Sequence, residues 1–227
     1  MSMKTKIIAI EGIDGSGKTL QMQRLCAYLR EKGYTVGIKS FPEYESFFGK
    51  QIGALLKGDI LRADMVDSRS MCLWFALDRW QSFADFKDAQ YDFLLVNRYV
   101  LSNAVYQAIR DIDLGTLDNW EWVKALEYGQ LGLPVPSLYL LLDVDPSSAQ
   151  DNVDKKGARE YIDGRDVYEQ QKDLLTRARN RYLDIAKREQ NFEIISCMDG
   201  DTLHSPDEIA QRIIDALICR KLVKDHE

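Results

Sequence analysis

The stretch "IIAIEGIDGSGKTLQMQRL", Ile7 to Leu25, decides the fold. Ile7–Glu11 is a short apolar run that ends on an acid, and Gly12, Gly15 and Gly17 follow at once. Lys18 and Thr19 then open a pattern in which Met22, Leu25, Cys26 and Leu29 recur at helical spacing, stopped by Lys32-Gly33. Strand, glycine loop, helix is therefore the predicted order. Gly12 to Thr19 also fits G-x-x-x-x-G-K-[ST] without a gap. Small residues there let the chain wrap so that successive N–H groups point inward, and the start of the helix adds the positive end of its dipole. Gly12, Ile13, Asp14, Gly15, Ser16, Gly17, Lys18, Thr19 and Leu20 are thus the candidate cradle for a nucleoside triphosphate, expected to be ATP. Lys18 would reach its β- and γ-phosphates, and the Thr19 hydroxyl would ligate Mg²⁺.

Four further apolar runs read as strands: 35–41, 92–98, 137–144 and 192–198. Those at 92–98 and 137–144 are nearly continuous in Leu, Val and other apolar residues, which suits strands covered on both faces. Helical patterns lie between them, at 64–86, 102–110, 116–132, 168–189 and 206–222. In the first, Trp74 and Trp80 are expected in the core; the last starts at Ser205-Pro206 with Glu208 and buries Ile209, Ile213, Ile214 and Leu217. Strands alternating with helices imply right-handed βαβ crossovers and a five-stranded parallel sheet in a three-layer α/β/α fold. Ligands of such sheets bind at the carboxyl ends of the strands, so the residues just after 11, 41, 98 and 144 matter most.

At 227 residues and 45% hydrophobic, the chain suffices for one domain over 1–227. A net charge of −6 argues against an extended nucleic-acid footprint. Cys26, Cys72, Cys197 and Cys219 lie far apart in apolar patterns and read as buried free thiols of a reducing compartment. No apolar stretch approaches the roughly 20 residues that span a bilayer, and Met1 to Lys6 is polar. A soluble, cytoplasmic protein without a membrane partner is expected.

A phosphate cradle does not name the acceptor. Together with "SFPEYES" (40–46), "FALDRW" (75–80) and "NRYVLSNAVYQ" (97–107), the opening "EGIDGSGKT" resembles the thymidylate kinase family, from residue 6 to about 218. The resemblance implies a P-loop kinase fold that phosphorylates dTMP to dTDP with ATP and magnesium, commonly as a homodimer. It places Asp14 near the acceptor sugar and phosphate. Phe41 ends the second strand, where an aromatic can pack against a nucleobase, and Pro42 fixes the turn; the resemblance puts Phe75 on the thymine ring and Arg79 on the base or phosphate. Phe75 and Arg79 are four apart on one helix and share a face. Arg98 would clamp the acceptor phosphate with its planar fork, while Ser102, Tyr106 and Gln107 would read thymine and crowd the ribose 2′ side. Two positions depart from the family pattern: Tyr44 stands where an arginine is common, and Asn97 replaces an aspartate near magnesium. Asn97 can still bond metal waters, and the load on Arg79 and Arg98 rises.

Residues 151–171 are charge-dense and poor in aliphatics; by resemblance they hold a mobile lid, about 151–168. Lys155, Lys156, Arg159 and Arg165 are its candidates to close over the phosphates, with Arg159 or Arg165 as the catalytic lid cation. Two alternatives stand beside this reading. One is a kinase of the same fold with another acceptor, such as a deoxynucleoside kinase using Glu43 as a base. The other is a nucleotide-binding protein without turnover.

Overall fold

The computed structural model describes residues 4–111, 119–156 and 173–224. Five strands, β1 (Lys6–Glu11), β2 (Val36–Ser40), β3 (Phe93–Asn97), β4 (Leu138–Asp143) and β5 (Phe192–Ser196), form one sheet in the order β2-β3-β1-β4-β5. Every pairing in it is parallel. The five predicted strands are all present, each ending within about two residues of its apolar run. The central strands are covered on both faces: Ile8, Ile10, Leu95 and Leu140 are wholly buried. Each such side chain contributes about 1.5–3 kcal/mol of burial free energy.

The helices are α1 (Lys18–Glu31), α2 (Phe47–Lys57), α3 (Ser68–Phe83), α4 (Val100–Asp111), α5 (Trp120–Lys124), α6 (Pro146–Lys156), α7 (Leu174–Ala186) and α8 (Pro206–Cys219). Helix α1 packs on α8; α2, α3, α4, α5 and α7 form a second connected set, so helices flank the sheet in a three-layer α/β/α arrangement. Helix α8 starts as expected, with a Ser205–Glu208 capping box and Pro206 in its first turn. Among the described residues, no helix is long and apolar enough to cross a membrane.

Several expectations change. Helix α2 was not anticipated. The pattern at 116–132 is a short α5 that widens into a π-helical turn, Ala125–Gln130. Trp80 is 46% exposed rather than core, because it shares with Leu73 the face of α3 turned away from its neighbours, while Trp74 packs against the core. Ile214 is half-buried beside the stripe of Ile209, Ile213 and Leu217. All four cysteines are free, but Cys219, the last residue of α8, is exposed. The first part of the expected lid, 151–156, continues α6, and 157–168 lies outside the described residues.

Register places the functional ends level. Asn97 pairs with both Ile10 and Ser40, and Glu11 with Leu141. Gly12, Phe41 and Arg98 therefore leave the sheet side by side at its carboxyl edge.

Candidate active site

The glycine loop takes backbone conformations closed to other residues. Gly12, Gly15 and Gly17 have φ of 145°, 78° and 85°. At Gly15 a Cβ would lie 1.9 Å from the Ala149 carbonyl oxygen, so only glycine lets α6 approach. Asn152 Nδ2 closes that contact by donating to the Gly15 carbonyl at 3.0 Å. Gly17 caps α1 without a side chain, leaving the first-turn N–H groups to an anion. Lys18 is buried and folded back over its own loop. Its Nζ donates to the carbonyls of Gly12 (3.0 Å) and Ile13 (2.7 Å) and to Ser16 Oγ (3.4 Å). Thr19 and Leu20 are exposed at the start of α1, and the Ile13 side chain is buried in the core, so it can serve a ligand through its backbone only.

Beside this loop lies a cavity whose wall includes Asp14, Phe41, Pro42, Phe75, Arg79, Arg98, Ser102, Tyr106 and Gln107, together with Tyr44, Leu56 and Asn103. Every acceptor-side residue expected from the sequence thus meets around one space. Arg98 adopts a left-handed φ of 59° while its N–H stays bonded to the Ile10 carbonyl at 3.1 Å. A non-glycine residue held there is uncommon and marks a site where the surroundings over-determine the backbone. Its guanidinium pairs with Asp14 and lies over the Tyr106 ring, 5.4 Å from the centroid. The Tyr106 hydroxyl donates to Asp14 Oδ2 at 3.2 Å. Burial alone would weaken the Arg98 charge, but the Asp14 carboxylate more than reverses that and holds its pKa well above the usual value. Tyr106 is pushed up, chiefly by burial, and stays a neutral phenol.

Arg79, on α3, is 2% exposed and is gripped by Glu127 through Nε and Nη2, both at 2.6 Å. Burial opposes its charge, and the Glu127 carboxylate overcomes that and raises its pKa. Its neighbour Asp78, fully buried, holds the segment after Phe41: it accepts from Glu43 N (2.9 Å) and Ser46 Oγ (2.7 Å). Ser46 in turn caps α2 through Gly49 N at 2.8 Å. Phe41 is itself 3% exposed, between Phe83 and Tyr99, and its bond to Pro42 is cis.

Glu11 closes β1 in full burial and accepts from Tyr99 N (2.7 Å), Ser102 Oγ (2.6 Å) and Tyr182 on α7 (3.3 Å). Burial raises its pKa despite those donors. Asn97 donates to Ser40 Oγ at 3.0 Å, while its buried Oδ1 has no hydrogen-bond partner among the described residues. Lys155 and Lys156 sit on the last turn of α6. Arg159 and Arg165 lie outside the described residues.

Sequence reasoning passed over Glu11, Asp78, Asn103 and Glu127. The signals were present: an acid ending an apolar strand, an asparagine beside Ser102, and single acids inside "FALDRW" and the apolar "ALEYGQL".

Residues 10–209 match the sequence model of the thymidylate kinase family. A thymidylate kinase of Mycobacterium tuberculosis is 32% identical over 186 residues, covering 79% of this chain and 85% of that protein. One from Arabidopsis thaliana is 30% identical over 145 residues, 63% of this chain and 50% of its own length. The solved thymidylate kinase of Candida albicans shares the fold, with a TM-score of 0.73 at 21% identity over 98% of this chain and 96% of that one. A match over most of the length, joined to a glycine loop and an arginine-lined cavity at one sheet edge, establishes that the chain belongs to the thymidylate kinase family.

Proposed function

We propose that the protein transfers the γ-phosphoryl group of ATP to dTMP, giving dTDP. The observation that carries this reading is Asp14. It belongs to the glycine loop, yet lines the cavity and pairs with Arg98, so donor and acceptor sites share one loop. An acceptor phosphate gripped by Arg98 would then face the triphosphate held by the loop amides. Lys18 would exchange its carbonyl partners for β- and γ-phosphate oxygens. Little covalent work falls to side chains in such a transfer, and catalysis is positioning plus cation stabilisation. Phe75 would stack on the thymine, and the Tyr106 ring would crowd a ribose 2′-hydroxyl. Arg159 or Arg165 would supply the lid cation.

Magnesium bound mainly by phosphates and water needs few protein ligands. Among the described residues no cluster of His, Cys, Asp or Glu suits a metal, and the Thr19 hydroxyl with the unpartnered Asn97 Oδ1 fits that sparse role. Mg²⁺ would supply charge neutralisation on the phosphates.

The deoxynucleoside kinase alternative leans on Glu43. That carboxylate is absent from the described cavity wall; it accepts from Ser82 Oγ at 2.5 Å and lies 3.8 Å from Lys39 Nζ. We further place the enzyme in the cytoplasm as a homodimer, with small nucleotides as its ligands; free cysteines and the exposed Leu73 and Trp80 of α3 support this.

The test is ADP release with ATP and Mg²⁺ over a panel of nucleoside monophosphates and thymidine. Turnover is expected on dTMP, and Lys18→Ala should lower kcat by about a hundredfold or more. Turnover on thymidine but not dTMP would overturn the assignment.

A further inference from the structure

Glu127 is not among the residues lining the acceptor cavity, yet two lining side chains converge on it. Its Oε2 accepts from Arg79 Nε at 2.6 Å; its Oε1 accepts from Arg79 Nη2 at 2.6 Å and from Asn103 Nδ2 at 2.8 Å. Glu127 is wholly buried, and Arg79 and Asn103 are 2% and 3% exposed. It sits on the π-helical turn Ala125–Gln130, a conformation that is rare and concentrated at functional sites.

The arrangement fixes a hydrogen-bond polarity. Asn103 Nδ2 also donates to the Cys72 carbonyl at 3.0 Å. Both its neighbours are acceptors only, so the amide nitrogen must face them and Oδ1 must face away. That oxygen is buried with no hydrogen-bond partner among the described residues. Arg79 can only donate, and Glu127 engages Nε and Nη2, leaving Nη1 outside the pair. Asn103 and Arg79 both line the cavity, so together they would offer its occupant a held acceptor beside a held donor. A pyrimidine with a 4-carbonyl and an N3–H is the complement of that pair. A pyrimidine with a 4-amino group and a bare N3 has the reverse polarity and would leave buried groups unmatched.

We propose that Glu127 is a positioning residue that sets pyrimidine choice: by orienting Asn103 and Arg79 it selects 4-keto, N3–H bases over 4-amino bases. This rests on the pyrimidine monophosphate kinase reading above. With glutamine at 127, one acceptor becomes a donor. Asn103 is then held by the Cys72 carbonyl alone, and the acceptor offered to the base is less firmly fixed.

The test compares dUMP with dCMP, which both lack the 5-methyl group and differ only in this polarity. The unaltered enzyme should favour dUMP in kcat/KM by about a hundredfold or more. In Glu127→Gln the dUMP:dCMP ratio should fall at least about tenfold, and Glu127→Asp, too short to hold both donors, should also lower it. Equal losses on both nucleotides with an unchanged ratio would show a merely structural role and overturn the proposal. A second arm needs no variant: N3-methyl-dTMP should bind the unaltered protein at least about tenfold more weakly than dTMP, and equal binding overturns the proposal. Turnover without dUMP preference defeats this inference alone; no turnover on any pyrimidine monophosphate defeats the activity it rests on.

Discussion

Arg98 shows how one residue can serve a site before any ligand arrives. Its backbone is held in a left-handed conformation and its guanidinium is paired with Asp14 and laid over Tyr106. The fork is therefore pre-organised, and little side-chain entropy would remain to be lost if it grips the proposed acceptor phosphate. Arg98→Ala should raise KM for dTMP on the order of a hundredfold, with a smaller change in kcat, because it removes the clamp's cation and takes from Asp14 that ion pair. Steady-state kinetics at saturating ATP checks this; an unchanged KM removes Arg98 from the acceptor clamp. Glu11 gives a second expectation, this time in pH. Its pKa in the folded protein lies above its ordinary 4.5, with burial outweighing the Ser102 and Tyr99 N–H bonds and the charges of Arg98 and Lys18. The folded state thus keeps the proton to higher pH than the unfolded chain does. The stability this group supplies is complete below about pH 4.5 and is lost as pH rises through the folded pKa. Against Glu11→Gln, the wild type should therefore lose relative thermal stability as pH rises above about 4.5. Melting temperatures of both proteins across that range decide it, and a difference moving in favour of wild type as pH rises contradicts it.

At the scale of elements, the sheet was legible because each strand is a short apolar run with its own boundaries, and the glycine loop because its chemistry is local. Helix α2 was not, because "FFGKQIGALLK" carries two glycines that weaken its helical reading. Gly49 is there for tertiary reasons: a Cβ would lie 1.9 Å from the Glu43 carbonyl oxygen. The same limit hid Asp78, Asn103 and Glu127, whose partners stand 24 to 48 residues away in sequence. Trp80 was misplaced because helical spacing says which residues share a face, not which face is covered. Asp78 supplies the test at this scale. It ties α3 to the segment that carries Pro42 and Tyr44 into the cavity and that caps α2. Asp78→Ala should cost about 2–3 kcal/mol by leaving Glu43 N and Ser46 Oγ without their buried acceptor, and should raise KM for dTMP. Denaturant unfolding and kinetics measure the two effects. Loss of stability with KM unchanged would mean that the segment keeps its place without Asp78.

Across the whole molecule, polar ties gather at the carboxyl edge of the sheet. Asn152 joins α6 to the glycine loop, and Arg179 joins α7 to Asp143 at the end of β4, with Nε–Oδ1 at 2.6 Å. In the first two turns of α1, Gln21 and Arg24 reach Pro206 and Asp207 at the start of α8. The apolar surface left over lies elsewhere. Leu73 and Trp80, seven apart on α3, are 43% and 46% exposed, and Trp122, whose ring lies 5.8 Å from the Arg69 guanidinium, is 37% exposed. Neither Leu73 nor Trp80 lines the acceptor cavity, so substrate does not account for their exposure. Exposed apolar residues on one face of a helix favour pairing with a like surface, and a two-fold axis beside α3 would let each copy cover the other's exposed Leu73 and Trp80. A charge placed at its centre would have to be buried without a partner. If the proposed homodimer pairs through α3, Trp80→Glu halves the mass seen by light scattering, from twice the 26.1 kDa of the chain to that of a single copy. The cavity wall is built by the other face of α3, through Phe75 and Arg79, so the separated copies should still bind dTMP. A wild-type protein that already runs as a single copy at micromolar concentration would remove α3 as the pairing surface.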